Sequence, residues 1–333
     1  MSRTYFLLFL SIVLFFTVGC GQDEAATEGG ENDLTPVSFV LDWTPNTNHT
    51  GIYVAKENGY FEEEGLDVEI MLPGEAGANQ LLASGQADFG VSYQEGLTQA
   101  RVEGLPLVSI AAVLQHNTAG YASPVDKNIT EPTDFEGKIY GGTGSTLEQA
   151  MMQTIMEENN ANIDEVEFLP IGDADFFTAV ERDVDFSLVY YGWTGVEAEL
   201  RDEPLNMVYL TDFSEELDYY TPILATSEEM IETDSETVEA FVHAAAKGYE
   251  FAIENPEDAA SILIDSEQEL DPDLVRASQE WISPRYQDDA KRWGIQEHER
   301  WESFTNWMFE NGIIENELEV DQAFTNEFLP SEE

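Results

Sequence analysis

The chain has 333 residues, with 68 acidic side chains against 13 Lys and Arg and a formal net charge of −55. Binding to phosphate backbones needs clustered cations, so this balance excludes nucleic acid as a partner. A hydrophobic content of 42% with 11% aromatic residues still calls for a core, which puts the acids on a solvated surface rather than in a disordered chain.

Residues 1–19 place Arg3 ahead of an apolar run from Tyr5 to Val18, with small residues before Cys20. This is the plan of a bacterial signal peptide, and the run is shorter than a comfortable membrane span. Cys20 is the only cysteine, so no intramolecular disulfide can form. Its position resembles a lipobox, in which the thiol is acylated, although Thr17 stands where that pattern prefers Leu. An ordinary cleaved signal that leaves a free thiol is the alternative. Acylation would hold the protein to the extracytoplasmic face of the cell membrane. Residues 20–35 are small and acidic after the cysteine, and read as a flexible tether.

Folded sequence starts near Val37 and runs to about Pro330, roughly 295 residues, enough for one large or two medium domains. Strands are expected over 37–42, 66–72, 87–92 and 107–114, with helices over 48–58, 79–84 and 94–103 between them. That alternation predicts an α/β fold with a mainly parallel sheet covered by helices. A second such unit follows, with strands over 137–142, 166–170 and 185–189 and helices over 146–158 and 176–182. After about residue 220 the apolar spacing turns helical, over 235–254, 256–264, 271–281 and 297–309. The expected division is 36–118 for the first part of lobe 1, 119–218 for lobe 2, and 219–333 for a helical remainder of lobe 1. One internal echo stands out: Asp88-Phe89-Gly90-Val91-Ser92-Tyr93 against Asp185-Phe186-Ser187-Leu188-Val189-Tyr190. Ligands of open α/β sheets bind beyond the carboxyl ends of strands. Two such units facing each other would set Tyr93 and Tyr190 on opposite walls of a cleft. Chance likeness of two buried strands is the alternative.

The first strand runs into Asp42-Trp43-Thr44-Pro45-Asn46-Thr47-Asn48-His49. Trp43 offers a flat face to a planar ring and Asp42 an acceptor for N–H groups; Trp43 as core, with Asn46 or Asn48 as a helix cap, is the alternative. The loop Gly142-Thr143-Gly144-Ser145 joins a strand to a helix and could present backbone N–H groups to a ligand oxygen. Ser145 as N-cap, with Glu148 closing a capping box, fits as well. The clusters Tyr190-Tyr191-Gly192-Trp193 and Asp218-Tyr219-Tyr220 suit ring binding, as in sugar receptors, or core packing. Catalytic signatures are missing. His49, His116, His243 and His298 show no metal-ligand spacing, no Gly-x-Ser-x-Gly elbow occurs, and acid pairs mean little in so acidic a chain. No metal, cofactor or enzymatic activity is expected.

The stretch Leu41–Gly51 (LDWTPNTNHTG), with Gly59-Tyr60-Phe61, Gly65-Leu66-Asp67-Val68, Val91-Ser92-Tyr93-Gln94-Glu95, Tyr190-Tyr191-Gly192-Trp193, Asp218-Tyr219-Tyr220-Thr221-Pro222 and Lys247-Gly248-Tyr249-Glu250-Phe251-Ala252, resembles the ThiY/THI5-like (NMT1-like) family. The resemblance covers nearly the whole chain after the tether. It implies a type II periplasmic-binding-protein fold, two lobes with the ligand between them, and a monomeric receptor of an ABC importer working with a permease and its ATPase. The implied ligand is N-formyl-4-amino-5-aminomethyl-2-methylpyrimidine, for thiamin salvage; riboflavin or a sulfonate is the alternative within the fold. By the same resemblance Trp43 and Tyr93 stack on the ring, and Asp42 and Glu197 meet its amino and ring nitrogens. Tyr190 or Tyr191 and the 142–145 loop meet the formylaminomethyl arm, with Asn46, Glu95, Trp193 and Tyr220 completing the set. Fungal members of the family are pyridoxal-dependent pyrimidine synthases. Their reactive lysine and histidine align near Ser92 and Gly96, and their cysteine-rich segment near residues 217–220, which hold no cysteine. These departures and the secretion signal speak against synthase activity.

Self-repulsion among so many carboxylates weakens the compact state at low ionic strength. The Debye length falls to about 3 Å at 1 M salt. The melting midpoint should therefore rise between low salt and about 1 M NaCl, as befits a protein from a salty or alkaline habitat. A scanning-calorimetry midpoint that stays put would overturn this expectation.

Overall fold

The computed structural model describes residues 34–331 except Asp173. The expected secretion signal, Cys20 and the expected tether up to residue 33 lie outside the described residues. Ten strands follow in chain order: β1 (Thr35–Val40), β2 (Leu66–Met71), β3 (Phe89–Ser92), β4 (Leu107–Ala112), β5 (Ala119–Pro124), β6 (Ile139–Gly142), β7 (Glu167–Pro170), β8 (Phe186–Tyr190), β9 (Leu205–Tyr209) and β10 (Ile223–Ser227). Residue 35, expected as the end of the tether, already opens β1.

The strands form two five-stranded sheets, ordered β2-β1-β3-β10-β4 and β7-β6-β8-β5-β9. The two orders share one plan. In the first, β10 alone runs antiparallel to its neighbours β3 and β4. In the second, β5 alone runs antiparallel to β8 and β9. Each odd strand is the first one laid down after the chain crosses from the other sheet. β3 and β8, which carry the sequence echo, hold the same central place. Their leading aspartates do the same work: Asp88 Oδ2 accepts from the Ser38 N–H at 2.8 Å, and Asp185 Oδ2 from the Ile139 N–H at 2.9 Å. Each carboxylate pins the central strand to its parallel neighbour.

The first lobe buries its sheet under the helix Ser235–Glu254, capped at its start by the Asp234 side chain. Phe241 of that helix stacks with Phe89, Phe61 and Phe39 at centroid distances of 4.0, 5.3 and 5.6 Å. The helix also touches the backbone of helix Thr50–Glu57. A Cβ on Gly248 would sit 2.0 Å from the Gly51 carbonyl oxygen, so only glycine permits that approach. The second lobe gathers Tyr121, Phe135, Tyr140 and Phe186 into one aromatic core.

The helices expected over 146–158, 176–182 and 235–254 occur with those bounds. Three strands were not expected: β5, β9 and β10. β5 (AGYASP) and β10 (ILATS) are short and buried on both faces, so they lack the period-two alternation that marks a half-exposed strand. The segment after residue 220 is therefore not all helical. Nor does its last helix, His298–Glu310, stay with lobe 1. Trp301 joins the first lobe's core, while Phe304, Trp307 and Met308 pack with Tyr121 and Phe186 of the second. Its apolar stripe is wide enough to serve both. Among the described residues no helix is long and apolar enough to cross a membrane.

The chain passes between the lobes over residues 113–118 and again over 210–222. Asp218 ties the two crossings together. Its Oδ1 accepts from the Asn117 N–H at 2.9 Å, its Oδ2 lies 2.6 Å from His116 Nδ1, and Arg300 stands 3.6 Å away. Burial alone would raise the Asp218 pKa, but His116, Arg300 and the Asn117 N–H outweigh it and hold it below the usual carboxylate range. The hydrogen bond that His116 donates to Asp218 raises the His116 pKa. A depressed acid stabilises the fold above its unfolded pKa, about 3.9, and a raised histidine below its own, about 6.5. The clasp should thus contribute most between about pH 4 and 6.5. Asp218→Asn should cost roughly 1–3 kcal/mol inside that window and progressively less as pH rises above it. Chemical denaturation of both proteins from pH 4 to 8 tests this, and parallel curves would refute it.

Candidate functional site

The carboxyl ends of β1, β3 and β8 face one another across a cavity of about 190 Å³. The first lobe contributes Asp42, Trp43, Asn46, Thr47, Asn48 and Tyr93. The second contributes Tyr190, Gly192 and Trp193, and the two crossings supply Leu114, Thr118, Thr221 and Pro222, with Ile282 closing one side. The lining is mostly apolar with a few fixed polar groups, the usual make-up of a small-molecule site.

Asp42 is the fixed point. His49 Nε2 meets its Oδ1 at 2.6 Å, and the Tyr93 hydroxyl donates to its Oδ2. His49 Nδ1 accepts from the Asn46 N–H at 3.2 Å, so the ring's proton sits on Nε2 and is donated to Asp42. Burial pushes the Asp42 pKa up, yet the His49 and Tyr93 hydrogen bonds prevail and hold it below the usual range. Tyr93 is raised by burial and by the Asp42 charge. The cavity wall therefore carries an ionised carboxylate whose remaining lone pairs can accept from a ligand N–H. Trp43 is 57% exposed, a flat apolar face standing open beside that carboxylate. Asn46 caps the next turn, its Oδ1 accepting from the Asn48 N–H at 2.9 Å, and still lines the cavity.

The lobes also meet away from the crossings. Helix Pro272–Ile282 lies against both, and its Ser278 hydroxyl donates to the Gly192 carbonyl while pairing with Thr47 Oγ1 at 2.6 Å. Thr47 belongs to lobe 1 and Gly192 to lobe 2, so this chain of hydroxyls bridges the lobes beside the cavity.

The NMT1/THI5-like family profile matches residues 46–259. The chain belongs to this family. It is 28% identical to the formylaminopyrimidine-binding protein of Halalkalibacterium halodurans, over 97% of this chain and 99% of that one. It is 25% identical to the 4-amino-5-hydroxymethyl-2-methylpyrimidine phosphate synthase of Legionella pneumophila, over 88% of this chain and 92% of that one. The alkanesulfonate-binding protein SsuA of Xanthomonas axonopodis superposes with a TM-score of 0.66 at 12% identity, covering 88% of this chain and 99% of that one. That likeness carries the fold, the two-lobed type II periplasmic-binding-protein architecture of this NMT1/THI5-like chain.

Of the residues expected from the sequence, Asp42, Trp43, Asn46, Tyr93, Tyr190 and Trp193 line the cavity. Glu95, in the first turn of helix Gln94–Val102, does not line the cavity. The others fall elsewhere. Tyr220 is fully buried, its hydroxyl accepting from the Glu297 N–H at 2.9 Å and its ring 4.7 Å from the Arg300 guanidinium; it is core. Tyr191 turns to Glu199 and packs on Trp281, 5.2 Å between centroids. Glu197 pairs with Arg201 one helical turn on. In the loop of Gly142, Thr143, Gly144 and Ser145, the protein's own carboxylate is the guest. Glu148 accepts from the Thr143 N–H at 3.0 Å and its hydroxyl at 2.9 Å, and Ser145 caps the helix. His49, Thr47 and the crossing residues were not anticipated. His49 could have been found: it sits seven residues beyond Asp42 in the same polar run. Leu114, Thr118, Thr221 and Pro222 carry no such signal, because only the double crossing brings them together.

Since Trp43 is exposed, Trp43→Ala should leave the melting midpoint nearly unchanged, within about 0.5 kcal/mol of stability. The same change should weaken ring binding by about tenfold or more, through lost stacking and burial. Fluorescence titration reads both. Unchanged affinity would remove Trp43 from the site.

Proposed function

We propose that this protein is an extracytoplasmic solute receptor, anchored through Cys20, that captures N-formyl-4-amino-5-aminomethyl-2-methylpyrimidine or a near relative. It then delivers the ligand to an ABC permease and its ATPase for thiamin salvage. The observation that carries this reading is the pairing of an exposed indole, Trp43, with the oriented carboxylate of Asp42 in a small apolar cavity between two lobes. An indole face suits a planar ring, and an ionised acceptor suits its amine. The cavity is small beside the ~300–1,000 Å³ of pockets that hold drug-sized ligands, which favours one ring with short arms over a flavin. The formylaminopyrimidine-binding relative, matching end to end, supports the same ligand class.

The mechanism is capture by lobe closure. With the ligand against Trp43 and Tyr93, Tyr190 and Trp193 approach from the opposite lobe. The Thr47–Ser278–Gly192 chain then spans the closed form, and the hinge turns about the Asp218 clasp. A synthase reading is disfavoured at the atoms concerned. Ser92, near where the fungal lysine aligns, spends its hydroxyl on Asn79 Oδ1 at 2.7 Å, and Gly96 offers no side chain.

Calorimetric titration with the formylaminopyrimidine, thiamin, riboflavin and taurine tests the reading. The formylaminopyrimidine should bind most tightly, and Asp42→Asn should weaken it by about fivefold to a hundredfold for loss of a charged hydrogen bond. Binding of riboflavin or taurine without any pyrimidine would overturn it.

A further inference from the structure

The ligand cavity has a neighbour on the first lobe. A groove of about 410 Å³ runs beside the ends of β1 and β3, between helix Ala78–Ala83 and helix Gln94–Val102. Among the described residues only Asp42 and Tyr93 line both spaces. These two are joined, the Tyr93 hydroxyl donating to Asp42 Oδ2. The partition between cavity and groove is therefore one phenol ring and the hydrogen bond at its tip.

Both ends of that partition are fixed. The other oxygen of Asp42 meets His49 Nε2 at 2.6 Å. Tyr93 closes β3 and caps helix Gln94–Val102, its carbonyl accepting from the Leu97 N–H at 2.8 Å. The ring is thus a wall, held at its backbone by a strand end and a helix start. Behind it the groove is open and polar. Asn79, Gln80, Gln99 and Glu103 line it. Asn79 Oδ1 accepts from the Ser92 hydroxyl at 2.7 Å. A Cβ on Gly96 would stand 3.3 Å from Asn79 Nδ2, so glycine leaves room beside that amide. None of the described residues lining either space is Lys, Arg or His. An anionic group in the groove would meet Asp42 and Glu103 with no cation to offset them, which is costly. An uncharged or cationic group would meet acceptors instead. Joined, the two spaces fall within the ~300–1,000 Å³ of pockets that hold drug-sized ligands.

We propose that Tyr93 sets specificity by size: its ring shuts the cavity off from the groove, a second subsite fit for an uncharged or cationic ring carried on the pyrimidine's arm. The wall makes the receptor select a single-ring pyrimidine and refuse the same pyrimidine joined to a second ring, as in thiamin. This rests on the reading that the cleft takes a pyrimidine, and it names what keeps the larger ligand out.

Calorimetric titration of the full folded chain with the formylaminopyrimidine, thiamin and thiamin monophosphate tests the wall. Wild type should bind the formylaminopyrimidine at least about tenfold more tightly than thiamin. Tyr93→Ala loses a stacking face but opens the groove, so this preference should shrink by about tenfold or more. Thiamin monophosphate should not share the gain, because carboxylates line the opened space. Trp43→Ala removes the other stacking face and leaves the wall, so it should weaken binding and keep the wild-type preference. Three results overturn the proposal: Tyr93→Ala with the wild-type preference, Trp43→Ala relaxing it as far as Tyr93→Ala does, or the monophosphate gaining as much as thiamin. A wild type that binds thiamin as tightly as the formylaminopyrimidine sinks the wall and spares the receptor reading. One that binds no pyrimidine sinks both. Should Tyr93→Ala melt early without ligand, Tyr93→Asn, a better residue at a helix start, repeats the measurement.

Discussion

Two sheets that face each other with their carboxyl ends can be joined only by chain that runs between them, and in this fold it runs between them twice. Each passage ends in the strand that opposes the rest of its new sheet, β5 in one and β10 in the other. The cavity floor is therefore made of the passages themselves, Leu114 and Thr118 from one and Thr221 and Pro222 from the other. A ligand in the cleft touches both lobes and both connections at once. Asp218 holds the passages side by side.

Two carboxyl groups of the first lobe sit under opposite regimes, Asp42 on the cavity wall and Glu95 inside the packing. Asp42 sits where an imidazole and a phenol both donate to it, and it stays ionised despite its burial. Glu95 sits among tyrosines with no cation at hand and is driven toward its neutral form. The difference comes from neighbours, since both groups lie just past the carboxyl end of a strand in the same lobe. In a chain with 68 acids, it is this withholding or supply of donors that singles out two of them.

Much of this was legible in the sequence because strong periodicity and turn chemistry agree with the fold. The helix over 235–254 announces itself by apolar spacing, and the structure keeps its bounds. The repeated Asp-Phe strand ending in tyrosine marked the two central strands and both walls of the cavity. What stayed hidden depends on partners far apart in the chain. Tyr220 looked like a ligand contact beside Tyr219, but a fully buried ring with its hydroxyl satisfied by Glu297 is core, and only the return of the C-terminal segment makes it so. Glu197 likewise looked free until Arg201 claimed it. β10 escaped notice because a central strand buried on both faces shows no alternation.

The odd strands also bear on how the molecule is assembled. In the first sheet β4 pairs with strand β10 and with single bridges at Gly294 and Phe324, so residues 107–112 have no sheet partner until residues 223–227 exist. The second sheet is complete by residue 209, but its apolar face stays open until Phe304, Trp307 and Met308 arrive near the end of the chain. Neither lobe is a finished object by itself. A protein split at either crossing would yield two fragments that each lack a wall, and a chain still being made would carry exposed apolar surface until residues 304–308 had followed.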